Sequence, residues 1–286
     1  MTATSPATLL SRRFPAKRAF VTGAASGLGF AIADCLARDG WTLGLLDLSA
    51  SRLEQAVNRL RTFSAGEVNG YPGDVASPSF VAAAVDDFVA RRDGLDVLVN
   101  NAGVAVAGPV ELTPVEDWRW IVDINLLGVV WGCRAALPTL KRQGRGLVLN
   151  IASSAGFAAA PQMAAYNVTK AGVIALSETL VAELAGTGLQ VSVAMPGFFR
   201  THLLDEMRAP PEENRLAHQL MDHSGHDPVE AAAALLAAAA AGDTWIVWPR
   251  EYRLAWRLKR WFPGWFLRRV QAFRDAQLSK ADRSPG

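Results

Sequence analysis

The sequence predicts an α/β fold: a doubly wound, mostly parallel sheet with helices on both faces. Two observations carry this. Strand-like and helical segments alternate from about residue 18 to residue 248, and most strand candidates are continuous apolar runs, as in strands buried on both faces. The first strand also runs straight into a glycine-rich turn and then a helical pattern, the context of a phosphate-binding loop.

Arg18-Ala19-Phe20-Val21 is the first strand, and Thr22-Gly23-Ala24-Ala25-Ser26-Gly27-Leu28-Gly29 follows it. Gly23 permits a tight turn. Gly27 and Gly29 let backbone and helix approach a pyrophosphate, which the helix N-terminus favours through its free amides and dipole. A plain turn is the alternative reading. The helix runs from Phe30 to Asp39 and stops at Gly40; a second strand, Trp41 to Leu46, ends in Asp47. Asp47 lies 18 residues past Gly29, close to the ~20 expected of an acid that binds the adenosine ribose. It is followed by Leu48 rather than by an Arg that would welcome a 2′-phosphate. Asp47 as a cap of the next helix, Ser51 to Thr62, is the competing reading, but Ser49 can do that capping.

The third strand, Val68 to Tyr71, leads into Gly73-Asp74-Val75, and a helix spans Pro78 to Arg92. Leu95 to Val99 is a strand entering Asn100-Asn101-Ala102-Gly103. One long helical pattern covers Val115 to Arg142 and contains Asn125. Leu147 to Ile151 is the next strand, with Ser153 just past its end. The following helix holds Tyr166 and Lys170 and reaches about Ala185; Gln190 to Met195 is a strand closed by Pro196-Gly197. Glu230 to Ala241 reads as an Ala/Leu-rich buried helix, and Thr244 to Trp248 as the last strand.

At helical spacing Tyr166 and Lys170 sit one turn apart on one face. A free phenol ionises near pH ~10, and a neighbouring ammonium lowers that value, so the pair is a candidate acid/base. Ser153, thirteen positions earlier, can aim its hydroxyl at the same substrate oxygen. Alone, Tyr-x-x-x-Lys is a weak signal and is equally read as a surface helix pair.

Over roughly residues 15–249 the chain resembles the short-chain dehydrogenase/reductase family. The resemblance rests on Thr22-Gly-x-x-x-Gly-x-Gly29, Asp74, Asn100-Asn101-Ala102-Gly103, Asn125, Ser153, Tyr166-x-x-x-Lys170 and Pro196-Gly197, in the family's order and spacing. It implies a seven-stranded Rossmann fold, a nicotinamide cofactor and hydride transfer at a carbinol or carbonyl carbon. It implies Tyr166 as acid/base, Lys170 on the nicotinamide ribose and lowering the Tyr166 pKa, Ser153 on the substrate oxygen, and Asn125 holding a proton-relay water. Thr22, Gly23, Ser26, Gly27, Leu28, Gly29, Asp47, Asp74, Val75, Asn101, Ala102, Gly103, Tyr166, Lys170, Pro196, Gly197 and Thr201 become the cofactor contacts, with Asp74 at the adenine and Thr201 at the carboxamide. Phe157, Met163, Phe198, Leu203, Leu204 and Met207 lie where the family lines its substrate pocket, which points to an apolar alcohol or ketone. NAD is the expected cofactor ahead of NADP, because of Asp47.

Composition narrows the alternatives. The 286 residues carry a net charge of +2, too little to argue for nucleic acid. Cys35 and Cys133 sit in apolar helical patterns and read as buried thiols without a disulfide. Residues 1–16 lack the apolar stretch of a secretory signal, and no run of about 18 apolar residues suggests a membrane span, so the cytoplasm is the default expectation. A homodimer or homotetramer is the expected assembly. A non-catalytic cofactor-binding protein is the reading from another class; its mark, loss of Ser153, Tyr166 or Lys170, is absent.

The chain divides into a disordered arm (1–14), one dinucleotide-binding domain (15–249) and an amphipathic extension (250–286). All four histidines, His202, His218, His223 and His226, fall in the expected substrate loop; solvated loop histidines are the reading, since no Cys joins them and the spacing matches no helical ligand pair for a metal. In the extension, Arg250, Arg253, Arg257, Lys259, Arg260, Arg268 and Arg269 face Glu251 alone. Leu254, Leu258, Trp261 and Trp265 form one helical stripe, broken at Pro263. Three readings stay open: helices packed on the fold or a neighbouring subunit, a membrane-surface contact through 250–270, or a lid over the substrate cleft.

Overall fold

The computed structural model describes residues 6–281. Seven strands form one sheet in the order β3-β2-β1-β4-β5-β6-β7, with every neighbouring pair parallel. They are β1 (Arg18–Thr22), β2 (Thr42–Asp47), β3 (Val68–Pro72), β4 (Val97–Asn100), β5 (Gly146–Ile151), β6 (Leu189–Pro196) and β7 (Trp245–Trp248). The doubly wound Rossmann fold expected from the alternation is therefore the observed one. After β3 the chain returns across β1 to start β4, so the strand order reverses between β1 and β4. A crevice opens at the carboxyl ends of the strands at such a switch point.

Helices cover both faces. On one lie α1 (Pro6–Arg13), α2 (Gly27–Arg38), α3 (Ala50–Arg61) and α10 (Pro228–Ala241), burying Ile32, Leu36, Trp41 and Leu235. On the other lie α4 (Pro78–Arg92), α6 (Gly128–Gln143) and α8 (Ala164–Glu183), burying Phe20, Phe88, Leu140 and Val173. Ser49 caps α3 by accepting from the Arg52 amide, so Asp47 is left for other work.

Three expectations need correction. The arm read as disordered carries α1: Leu10 and Phe14 are buried, Trp41 Nε1 donates to Ser11 Oγ at 2.9 Å, and Arg13 donates to the carbonyls of Ala239 and Ala240. Residues 1–5 of that arm lie outside the described residues. Cys35 is only half-buried, whereas Cys133 is buried; both are free thiols. The long helix breaks into α5 (Val115–Val122), a π turn (Asp123–Leu127) and α6. The run Val115–Gln143 is long and apolar enough to cross a membrane by composition alone. Here its Ile121, Ile124, Val129, Ala136 and Leu140 are buried in the protein.

The remaining elements crown the crevice: α7 (Ala155–Ala158), a 3-10 turn (His202–Leu204), α9 (Pro211–Asp222), and a C-terminal helix pair, α11 (Glu251–Trp261) and α12 (Pro263–Ala281).

Candidate active site

The carboxyl ends of the central strands open on a cavity of about 580 Å³. Two short loops define its floor. After β1 the chain turns at Gly23, whose φ of +62° an L side chain resists. A Cβ on Gly29 would stand 2.1 Å from the Gly23 carbonyl oxygen, so only glycine lets α2 start this close to the turn. Ser26 begins α2 without a side-chain cap, which leaves first-turn amides for a ligand anion. The Asn101 and Ala102 amides donate to Thr22 Oγ1 at 3.0 and 3.1 Å, and Asn101 Nδ2 donates to the Thr22 and Gly23 carbonyls. The two loops are thus tied together across the switch point.

Asp47 stands at the end of β2 with both carboxylate oxygens oriented: Oδ2 accepts from the Ala25 amide at 3.0 Å, Oδ1 from the Ser49 amide at 3.1 Å. It lines the cavity with Ser26, Gly27, Leu28, Asp74, Val75, Gly103, Pro196, Gly197 and Thr201. A glycine cradle at a helix N-terminus and a fixed carboxylate beyond it fit the pyrophosphate and ribose of a nicotinamide dinucleotide. Thr22 and Gly29 do not face the cavity; they brace and pack its floor.

Ser153, Tyr166 and Lys170 line the same cavity. Tyr166 is buried and shares a hydrogen bond with Ser153, whose Oγ also accepts from the Ala155 amide at 3.1 Å. Lys170 Nζ donates to the Ile151 carbonyl at 3.1 Å and lies 5.8 Å from the Tyr166 ring centroid. The expected lowering of the phenol is not what this geometry gives. Burial pushes Tyr166 up to about 12, and the Ser153 hydrogen bond opposes that without reversing it. Burial also brings Lys170 down to about 8.

Asn125 does not line the cavity. Its side chain is buried in the π turn, where Oδ1 accepts from the Val104 amide at 2.8 Å and Nδ2 donates to the Val104 carbonyl at 2.9 Å. Nδ2 also reaches Thr169 Oγ1 at 3.4 Å, one residue from Lys170. Asn125 therefore fixes the loop after β4 to α8.

The pocket residues read from the sequence, Phe157, Met163, Phe198, Leu203, Leu204 and Met207, all line the cavity. Two further walls complete the cavity: sequence reasoning missed the first, and the second stands where the lid reading put the C-terminal extension, though without naming its residues. Leu216, Ala217, Leu220 and Met221 come from α9, and their i, i+1, i+4, i+5 spacing was the available signal. Tyr252, Ala255, Phe266, Arg269 and Val270 come from the C-terminal helix pair. Gly197 makes this possible: a Cβ there would stand 2.5 Å from the Tyr252 ring, and the Tyr252 hydroxyl hydrogen-bonds the Phe198 backbone.

Of the histidines, His226 has Nδ1 2.9 Å from Glu230 and Nε2 3.4 Å from Glu251, while His218 and His223 are exposed. The His202 side chain lies outside what is described. Among the described residues no group of three His, Cys, Asp or Glu is placed to hold a metal.

Lys170 leaves a measurable mark on stability. Below pH 8 folded and unfolded states both hold the proton, and the folded state bears a buried charge; between 8 and 10.5 the unfolded state alone stays protonated, so stability rises with pH. Relative to Lys170→Met, the wild type gains about 3 kcal/mol across that window. Denaturant titrations of both proteins at about pH 7 and about pH 10 check this. A wild-type-minus-mutant difference that ignores pH would remove the buried charge from the account.

The model of the family described as short chain dehydrogenase matches residues 17–212. D-threitol dehydrogenase of Mycolicibacterium smegmatis is 36% identical over 231 residues, covering 80% of this chain and 88% of the relative. A short chain dehydrogenase/reductase of Burkholderia phymatum, solved with NAD, aligns with TM-score 0.81 and 29% identity over 85% of this chain and 92% of its own. A short-chain dehydrogenase of Sphingobium yanoikuyae, solved with NADPH, aligns with TM-score 0.73 and 25% identity over 94% and 96%. With this cavity, this serine, tyrosine and lysine, and these relatives, the chain belongs to the short chain dehydrogenase family, as an oxidoreductase acting on CH–OH groups.

Proposed function

We propose that the protein interconverts an apolar secondary alcohol and its ketone, with NAD as cofactor and Tyr166 as the acid/base. The observation that carries this is one cavity lined by Ser153, Tyr166 and Lys170, by Asp47 at the end of β2, and otherwise mostly by apolar side chains.

A bound nicotinamide supplies the hydride acceptor or donor. The chain's own residues do the rest. In reduction the Tyr166 hydroxyl gives its proton to the carbonyl oxygen as that oxygen gains charge. A phenol held up at about 12 is fully protonated at neutral pH and suited to this step. Ser153, already hydrogen-bonded to Tyr166, holds the same oxygen and sets its distance from the phenol. Lys170, brought down to about 8 by burial and 5.8 Å from the Tyr166 ring centroid, exchanges protons near neutral pH in the same site. Asn125 keeps α8, and with it Lys170, in position. In oxidation the phenolate takes the alcohol proton, and its formation is favoured by rising pH.

The test is a panel of secondary alcohols of increasing apolar size, assayed with NAD by absorbance of the reduced nicotinamide. Each added buried methylene is expected to raise kcat/KM by up to ~4-fold until the cavity is filled. Preference for polyols over simple alcohols of equal size would overturn the apolar assignment.

A further inference from the structure

We propose that the outer face of the α11–α12 pair docks on an anionic lipid bilayer, and that this pair is the side from which an apolar substrate enters the cavity. Of the stripe whose partner the sequence left open, Leu254, Trp261 and Trp265 are turned outward and Leu258 is half-buried. Trp261 is 78% exposed, Leu254 63%, Phe262 59%, Trp265 46% and Leu267 43%. Among the described residues these are five of the fourteen large exposed hydrophobic side chains, and all five fall within residues 254–267, which is a concentration and not the ordinary scatter of surface apolar residues.

Charge decides between occupants. Of the seven cations between Arg250 and Arg269, Arg253 turns back to the Val247 carbonyl and Arg269 lines the cavity; Arg250, Arg257, Lys259, Arg260 and Arg268 flank the patch in sequence, and among the described residues none of the seven has an acidic partner. Glu251, the one acid there, is engaged by His226. A second copy docking through the same patch would bring two such cationic sets together, which disfavours self-association. Anionic headgroups neutralise them, while tryptophan, phenylalanine and leucine side chains settle at the headgroup boundary.

The inner face of the same pair belongs to the cavity, through Tyr252, Ala255, Phe266 and Val270. One layer of helix therefore separates the outward aromatic patch from the apolar pocket. The entry route rests on the apolar-substrate reading above; the docking itself does not.

The test is co-sedimentation of the full chain with vesicles of phosphatidylcholine, with and without phosphatidylglycerol. Binding is expected only with phosphatidylglycerol. The triple variant Arg257→Glu, Arg260→Glu, Arg268→Glu should lower the partition coefficient by ~10²-fold or more. The double variant Trp261→Ser, Trp265→Ser should also lose vesicles. Both variants should keep wild-type kcat/KM on a short, water-soluble secondary alcohol, which shows that they fold. A wild type that stays in the supernatant, or that binds both vesicle types alike without regard to the charge reversals, overturns the proposal. So does a lipid-free dimer that the tryptophan double variant splits, since the patch is then a subunit contact. Docking without faster turnover of a long-chain secondary alcohol carried in the vesicles would overturn the entry route and leave the docking standing.

Discussion

Tyr166→Phe is expected to lower turnover by ~10²–10⁴-fold, the usual cost of removing a positioned acid/base. The ring is buried and stays so, because phenylalanine fills the same space. What disappears is the hydroxyl shared with Ser153, the group placed to give or take the proton at the substrate oxygen. Loss of one hydrogen bond costs stability by only about 1 kcal/mol. The fold and the affinity for the dinucleotide are therefore expected to change little, since Asp47 and the glycine turn are untouched. Steady-state kinetics read the first effect. Cofactor titration by quenching of tryptophan fluorescence reads the second. Near-wild-type turnover in the variant would remove Tyr166 from the chemistry.

The second large effect concerns the cofactor. The wild type is expected to prefer NAD to NADP by at least ~10²-fold in kcat/KM. Both Asp47 oxygens are aimed by backbone amides of Ala25 and Ser49, so the carboxylate cannot easily swing away from a ligand at the end of β2. Against a ribose it accepts charge-assisted hydrogen bonds, worth about 1.5–3 kcal/mol. Against a 2′-phosphate it meets like charge, which at ~4 Å and an effective dielectric of ~20 costs about 4 kcal/mol per unit charge before screening. Arg52 also lines this cavity and is the cation that could offset the phosphate, but its guanidinium is held by Glu206 at 3.0 Å. Asp47→Ala should bring the NAD/NADP ratio down by tenfold or more, each 1.4 kcal/mol being a factor of ten. A ratio that the substitution leaves unchanged would assign cofactor choice to other residues.

Much of this was legible in the chain itself. Continuous apolar runs alternating with helical patterns mark strands buried on both faces, and the sheet follows from them. The motif residues were legible because each answers a local demand: Gly23 a left-handed turn, Gly29 a contact with no room for a Cβ, Tyr166 and Lys170 one helical face. Three features were not legible, and for separate reasons. The π turn at Asp123–Leu127 leaves the apolar periodicity of its neighbours intact, so the run reads as one helix. The phenol rises because the surroundings remove water from it, and burial of a single side chain is not written in a four-residue spacing. In α11 two faces compete. Tyr252, Ala255 and Trp256 turn inward, while the equally regular stripe through Leu254 and Trp261 turns out. Periodicity gives the faces of a helix and not which of them meets the core.

The seam between α1 and α10 bears on how the chain reaches this state. Arg13 hydrogen-bonds Ala239 and Ala240, and Leu10 shares a cluster with Leu235 and Leu236. The first described helix is therefore completed by one of the last. During synthesis the part of its apolar side that meets α10 stays uncovered until residues 228–241 have left the ribosome. Contacts this distant in sequence close late and slow folding. Until then the α10-facing side of α1 is open to capture by chaperones, and docking of α10 is the step that covers it.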